Sequence, residues 1–109
     1  MTPMNDEIDA IEVKARMDHG DRFVLLDVRE PHEHSIARIP GAKLIPLGEV
    51  GRRAGELDPE AEIVVHCKSG VRSLRACGIL RQAGFRHVRN MTGGILAWSD
   101  RVDPAVPKY

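Results

Sequence analysis

Residues 61–84, AEIVVHCKSGVRSLRACGILRQAG, decide how this chain folds. The apolar, β-branched run AEIVVHC ends on Cys67, a polar glycine-containing stretch follows, and RSLRACGILRQAG then takes up helical spacing. Leu74, Cys77, Ile79 and Leu80 are its candidate core positions and Gly84 its C-cap. Strand, loop and helix therefore follow one another directly, with a cysteine at the point where strand becomes loop.

The same alternation runs outward in both directions. Upstream, RFVLLDV is a short continuous apolar run, the pattern of a strand buried on both faces of a parallel sheet. Before it, EIDAIEVKARMDHG reads as a brief strand entering a helix from Ala10 to His19, with Ile11, Ala15 and Met17 facing inward and Gly20 as the stop. RIPGAKLIPL holds a Pro-Gly turn and a strand around Lys43 to Ile45, and GEVGRRAGEL a weak helix loosened by Gly51 and Gly55. Downstream come a strand, HVRNM, a helix, GGILAWSDR, and the proline-broken tail VDPAVPKY. This order predicts an α/β domain whose central, mainly parallel sheet is covered by helices on both sides. Ligands in such a sheet bind beyond the carboxyl ends of the strands, where Cys67 falls.

A chain of 109 residues, 42% hydrophobic, holds one core, so residues 1–109 are expected to form a single domain with its core over about residues 8–101 and an extended tail over 102–109. Two cysteines are too few for a disulfide-stapled scaffold, and MTPMNDEIDA has neither a basic nor an apolar leader region; a reduced, cytoplasmic setting is expected. The longest apolar runs, FVLL and GGILAW, are far too short to span a membrane. The formal net charge is zero, yet residues 1–62 hold fourteen acids and eight bases, whereas Ile63 to Ser99 contains no acid and six bases. The half with Cys67 is thus expected to attract small anions or an acidic protein partner.

A helix starting near Arg72 or Ser73 leaves Lys68 to Arg72 to wrap a turn whose N–H groups point at the sulfur, an anion nest at a helix N-terminus. Such a setting lowers a thiol pKa from about 8.5, so that thiolate is present at neutral pH. Gly70 lets the backbone take a conformation closed to other residues. The forked donors of Arg72 suit an oxyanion, and Lys68 suits long-range attraction. A purely structural cysteine would leave this loop without a purpose. Cys77 is read as core packing, and His66 points to the opposite face of its strand from Cys67 and is not assigned as a base. Trp98 is read as core. The five scattered histidines lack zinc-ligand spacing, and basic residues without aromatics do not indicate nucleic-acid binding.

CKSGVRS resembles the active-site loop of the rhodaneses, sulfurtransferases in which a cysteine carries a persulfide. LLDVREPHEHSIARIPGA resembles that family's DVRE and IPGA segments, and NMTGGILAW its closing Gly-Gly and Trp segment. The matches stand in the family's order and span Ile8 to Trp98. Within the family, IARIPGA, CKSGVRS and VDPAVPKY most resemble the rhodanese domain associated with adenylyltransferases of sulfur carrier proteins. Many rhodaneses have Gly-His where this chain has Ala37 and Arg38, a change expected to bear on partner surface.

The resemblance implies a rhodanese-like three-layer fold and sulfur transfer through a Cys67 persulfide. Its implied substrate-binding loop is Lys68, Ser69, Gly70, Val71 and Arg72, supported by Asp27, Arg29, Glu30 and Ser73. The implied donor is thiosulfate or a persulfide, and the acceptor cyanide or a thiol in vitro. A sulfur carrier protein and its adenylyltransferase are the implied partners, and no metal or organic cofactor is needed. A phosphatase or arsenate reductase shares the fold by family resemblance, but one more residue intervenes there between cysteine and arginine than the four found here. A non-catalytic interaction module is the third reading, and such modules typically lack the cysteine.

Overall fold

In the computed structural model, which describes residues 6–109, local chemistry sets the ends of the elements. Strand β1 (Glu7–Ile8) leads into helix α1 (Ala10–His19), which starts where the Asp9 carboxylate accepts the Glu12 N–H at 2.8 Å. It ends at Gly20, whose φ of 82° is a left-handed conformation that glycine adopts without strain. Strand β2 (Val24–Asp27) is followed by α2 (Pro31–Ile36), β3 (Lys43–Leu44) and α3 (Leu47–Arg53), the last continued by a 3-10 turn over Ala54–Glu56. Then come β4 (Ile63–His66), α4 (Val71–Gln82), β5 (Val88–Met91) and α5 (Gly94–Arg101). None of the described helices is long and apolar enough to cross a membrane.

All five strands run parallel in the order β1-β5-β4-β2-β3. The chain moves outward from β2 to β3, crosses back to β4 and continues to β5 on the other side. The carboxyl ends of β2 and β4 therefore part in opposite directions, which opens the crevice where α/β sheets place their ligands. Asp27 and His66 are paired in register as the last residues of those two strands, so Cys67 enters the loop at the crevice.

Because side chains alternate along a strand, each face of the sheet has its own apolar cluster. Leu26, Val65 and Cys67 lie on one side with Val50 of α3 and Ala76, Cys77 and Leu80 of α4. Leu25 and Val64 lie on the other with Val13 of α1 and Ile95 and Trp98 of α5. These are the three layers expected from the alternating pattern. Three inward assignments fail: Leu74 is 57% exposed, Ile11 is 50% exposed, and Ala15 is exposed as well. The buried stripe of α4 is Ser73, Ala76, Cys77 and Leu80, and Leu74 stands about 100° around the helix from Ser73. In α1 the buried residues are Ala10 and Val13, Met17 packs at the edge of the cluster, and Ala15 is exposed. Small residues face the sheet because they let the helix backbones approach it.

Two boundaries also move. Helix α4 starts at Val71 rather than Arg72, and its C-cap is Ala83, with Gly84 (φ 98°) one residue beyond. The tail folds back instead of extending away: Val106 is buried, the Ser99 hydroxyl donates to the Val106 carbonyl at 2.7 Å, and Tyr109 packs beside the α1–α5 cluster. The expected domain of residues 1–109 begins with Met1 to Asn5, which lie outside the described residues.

Candidate active site

The loop from Cys67 to Ser73 closes on its own first residue. Gly70 reaches φ 112°, and this turn brings its N–H to 3.1 Å from Cys67 Sγ. The Ser73 hydroxyl lies 3.3 Å from the same sulfur. Burial by itself would raise the Cys67 thiol; the Ser73 hydroxyl and the N–H groups of Ser73, Gly70 and Ser69 outweigh it and hold the thiol below its ordinary range. Ser69 and Val71 are exposed on the outer side of the turn. Cys77, in contrast, is fully buried against apolar neighbours, and burial pushes its thiol up to about 11.

The carbonyls of the loop are held from a third element. The Ile95 N–H donates to the Cys67 carbonyl at 2.9 Å and the Leu96 N–H to that of Lys68 at 3.2 Å, so the open N-terminus of α5 receives the loop. This approach requires Gly94. A Cβ there would stand 2.6 Å from the Cys67 carbonyl oxygen and closer still to the Lys68 carbonyl.

Arg72 does not face open solvent as a free oxyanion ligand. Its two terminal nitrogens grip the Glu33 carboxylate at 2.6 and 2.8 Å. Glu33 also accepts the Tyr109 hydroxyl at 2.7 Å and the Glu30 N–H at 3.0 Å. The Arg72 guanidinium, against some cost of burial, holds the Glu33 carboxyl far below the usual carboxylate range. Lys68 Nζ sits 4.5 Å above the Tyr109 ring. The cationic half of the sequence is likewise neutralised in space: Arg81 meets Asp6, Arg86 meets Glu60 and Arg89 meets Glu62. The expected attractive field is therefore much weaker than the run of bases implies.

Asp27 and Arg29 are both completely buried and form a forked pair, Nε to Oδ1 at 2.9 Å and Nη2 to Oδ2 at 2.7 Å. Arg29 goes on to donate to the Ala37 carbonyl at 2.6 Å and to the Tyr109 hydroxyl at 2.9 Å. The pair touches the cysteine loop only at one remove, through Tyr109 and Glu33, which corrects the expectation that it braces the loop itself. Glu30 is exposed and serves as the N-cap of α2. Ala37, at φ −152°, occupies extended backbone open to any residue, and Arg38 is exposed. His66 is buried on the Asp27 side of the sheet, and desolvation keeps its imidazole below its ordinary pKa.

Sequence reasoning missed Glu33, Asn90, Gly94 and Tyr109. Asn90, on β5, accepts the Ser73 hydroxyl at 2.5 Å and donates to the Gly70 carbonyl at 3.2 Å, tying the two ends of the turn together. The double glycine before ILAW was the one local signal that a backbone approaches there.

The chain is 45% identical over 93 residues to the chloroplastic rhodanese-like/PpiC domain-containing protein 12 of Arabidopsis thaliana, covering 82% of this chain and 31% of that protein. It is 35% identical over 103 residues to a sulfurtransferase of Allochromatium vinosum, covering 94% of this chain and 96% of the relative. A probable adenylyltransferase/sulfurtransferase of Mycobacterium tuberculosis is 36% identical over 100 residues, 90% of this chain and 26% of that protein. The chain thus spans about a third or less of two of these relatives and nearly all of the other. Among solved structures, the rhodanese-like domain of an Anabaena protein superimposes with a TM-score of 0.82 at 32% identity, covering 89% of this chain and 75% of that one. The profile of the rhodanese-like domain matches residues 9–101, and the chain belongs to that family.

Proposed function

We propose that residues 1–109 form one rhodanese domain that moves sulfane sulfur from thiosulfate or a persulfide donor to a thiophilic acceptor by way of a persulfide on Cys67. Sulfur transfer as a class is supported by the sulfurtransferase relatives reported above. The observation that supports the finer reading is the turn around Cys67, with the Gly70 N–H 3.1 Å from the sulfur and the Ser73 hydroxyl on its other side.

In the first step the Cys67 thiolate attacks the outer sulfur of thiosulfate. A new S–S bond forms, the bond from that sulfur to the sulfonate breaks, and sulfite leaves with the electron pair. The loop N–H groups then face a persulfide whose negative charge lies on the outer sulfur. In the second step cyanide or a thiolate attacks that sulfur, and the Cys67 thiolate departs with its electrons. On this reading Lys68, Ser69, Gly70, Val71 and Arg72 form the loop that meets the donor, with the Gly70 N–H and the Ser73 hydroxyl as the groups at the sulfur itself. A sulfur carrier protein as acceptor and an adenylyltransferase as associate belong to the proposal, prompted by the mycobacterial relative. So does a reduced, cytoplasmic setting, which suits two free cysteines.

Incubating the purified chain with thiosulfate should add the mass of one sulfur atom, removed again by reductant. Cys67→Ser should abolish the adduct and the transfer to cyanide, while Cys77→Ser keeps both. Hydrolysis of phenyl phosphates by the native chain should be negligible. An adduct on Cys77, or phosphatase activity lost with Cys67→Ser, would overturn the proposal.

The grip of Glu33 on Arg72 leads to a second expectation. Glu33→Gln should free a positive charge beside the loop and lower the apparent KM for thiosulfate by about threefold, the scale of ~0.7 kcal/mol for a partly exposed charge. The KM of this variant should also climb more steeply with added salt than that of the native chain. An unchanged KM would show that Arg72 lies out of reach of the donor.

A further inference from the structure

The proton positions around Cys67 follow from which groups can only accept. Asn90 is 6% exposed, with Nδ2 3.2 Å from the Gly70 carbonyl oxygen and Oδ1 2.5 Å from Ser73 Oγ. A carbonyl has no proton to offer, so the amide must turn its NH2 toward Gly70 and its oxygen toward Ser73. That oxygen is also only an acceptor. The single proton of the Ser73 hydroxyl is therefore committed to Asn90, and Ser73 Oγ, 3.3 Å from the sulfur, is left to accept from the Cys67 S–H. The relay runs from Cys67 S–H to Ser73 Oγ, from Ser73 O–H to Asn90 Oδ1, and from Asn90 N–H to the Gly70 carbonyl.

Ionisation of the sulfur reverses the demand. A thiolate has no proton to give; it already accepts the Gly70 N–H, and it gains the nearby Ser73 hydroxyl as a further donor only if that hydroxyl turns from Asn90 toward Sγ. The Asn90 oxygen then loses its donor in a buried setting, where an unmet acceptor is costly. We infer that Asn90 is a positioning residue that competes with the Cys67 thiolate for the one proton of Ser73 and so governs how readily the sulfur ionises. A Cys67 persulfide bears its charge on the outer sulfur, and Sγ no longer claims the proton; the bond from Ser73 to Asn90 is kept. On the sulfurtransferase reading, on which this last consequence rests, Asn90 favours the sulfur-loaded loop over the empty thiolate.

The test reads ionisation, not sulfur transfer, so that it stands apart from the proposed activity. The rate of Cys67 alkylation by iodoacetamide is followed against pH by the mass of the Cys67 peptide, in variants first shown to melt cooperatively. Asn90→Leu should move the midpoint down by about one pH unit, or about tenfold faster alkylation on the acid side of both midpoints. Asn90→Ala should do the same, as a second variant should leucine not be accommodated. In a Ser73→Ala background, where no proton is contested, Asn90→Leu should leave the midpoint in place. A midpoint unchanged or raised by both Asn90 variants overturns the inference, since loss of the Gly70 tie alone would loosen the N–H donors and raise it. A downward shift that persists without the Ser73 hydroxyl overturns it as well.

Discussion

Gly94→Ala is expected to cost sulfur transfer on the order of 10²-fold while destabilising the domain by roughly 2–4 kcal/mol. Two effects of one methyl group combine. Gly94 has φ 59°, a left-handed conformation, and its Cβ would fall 2.6 Å from the Cys67 carbonyl oxygen. The atoms it meets are backbone of the cysteine loop, which cannot rotate away as a side chain would. Either α5 withdraws, breaking the bonds from the Ile95 and Leu96 N–H groups, or the loop shifts and the Gly70 N–H leaves the sulfur. Urea unfolding and thiosulfate:cyanide turnover measured on the same variant check both losses. A variant with native stability and native turnover would mean that the loop yields more freely than these contacts allow.

Arg29→Met should destabilise the chain by about 3–5 kcal/mol at neutral pH, a large part of the roughly 5–15 kcal/mol typical of a domain. Methionine can fill much of the space, but it leaves the fully buried Asp27 carboxylate without its forked partner and the Ala37 carbonyl without its donor. The sign of the pH dependence follows from Asp27. Burial raises its pKa, the Arg29 guanidinium and the His66 and His34 imidazoles lower it more, and the net result lies below its ordinary value. A carboxyl depressed in the folded state stabilises fully above its unfolded pKa of about 3.9, and this contribution is lost as pH falls through the folded value. In the variant the carboxyl keeps the His34 imidazole and the backbone N–H of position 29 but loses its forked partner, so burial is less well opposed and it takes a proton at higher pH than in the native chain. The stability gap between native and variant should therefore be widest at neutral pH and narrow below about pH 4. Chemical denaturation at a series of pH values measures this, and a gap independent of pH would assign the loss to packing alone.

The contiguous part of the site was legible in the sequence. Cys67 to Ser73 lie side by side along the chain, and a glycine among polar residues between an apolar run and a helical pattern reports its geometry through backbone rules that act over a few residues. The same locality explains why α1 runs from Ala10 to His19 with Gly20 as its stop, as read, and why the parallel α/β layering follows from the alternation of short apolar runs and helices. Helix phase was less secure. Apolar side chains such as Ile11 and Leu74 suggested one face, but a helix settles on a sheet through whatever stripe packs closest, and Ser73 and Ala76 allow a closer approach than leucine.

The partners of the loop were decided by tertiary structure alone. Arg72 finds Glu33 across 39 positions of sequence, Tyr109 finds Glu33 across 76, and Ser73 finds Asn90 across 17. Nothing in the pattern of any one segment encodes these meetings. They arise because β2, β4 and β5 lie side by side, α5 docks end-on against the loop and the tail folds back over α2. The acid-free half of the chain makes the point most simply. Charge segregated along the sequence is intermixed in space, because the fold brings acids of the first half against arginines of the second, and Coulomb attraction depends on distance in space rather than on position in the chain.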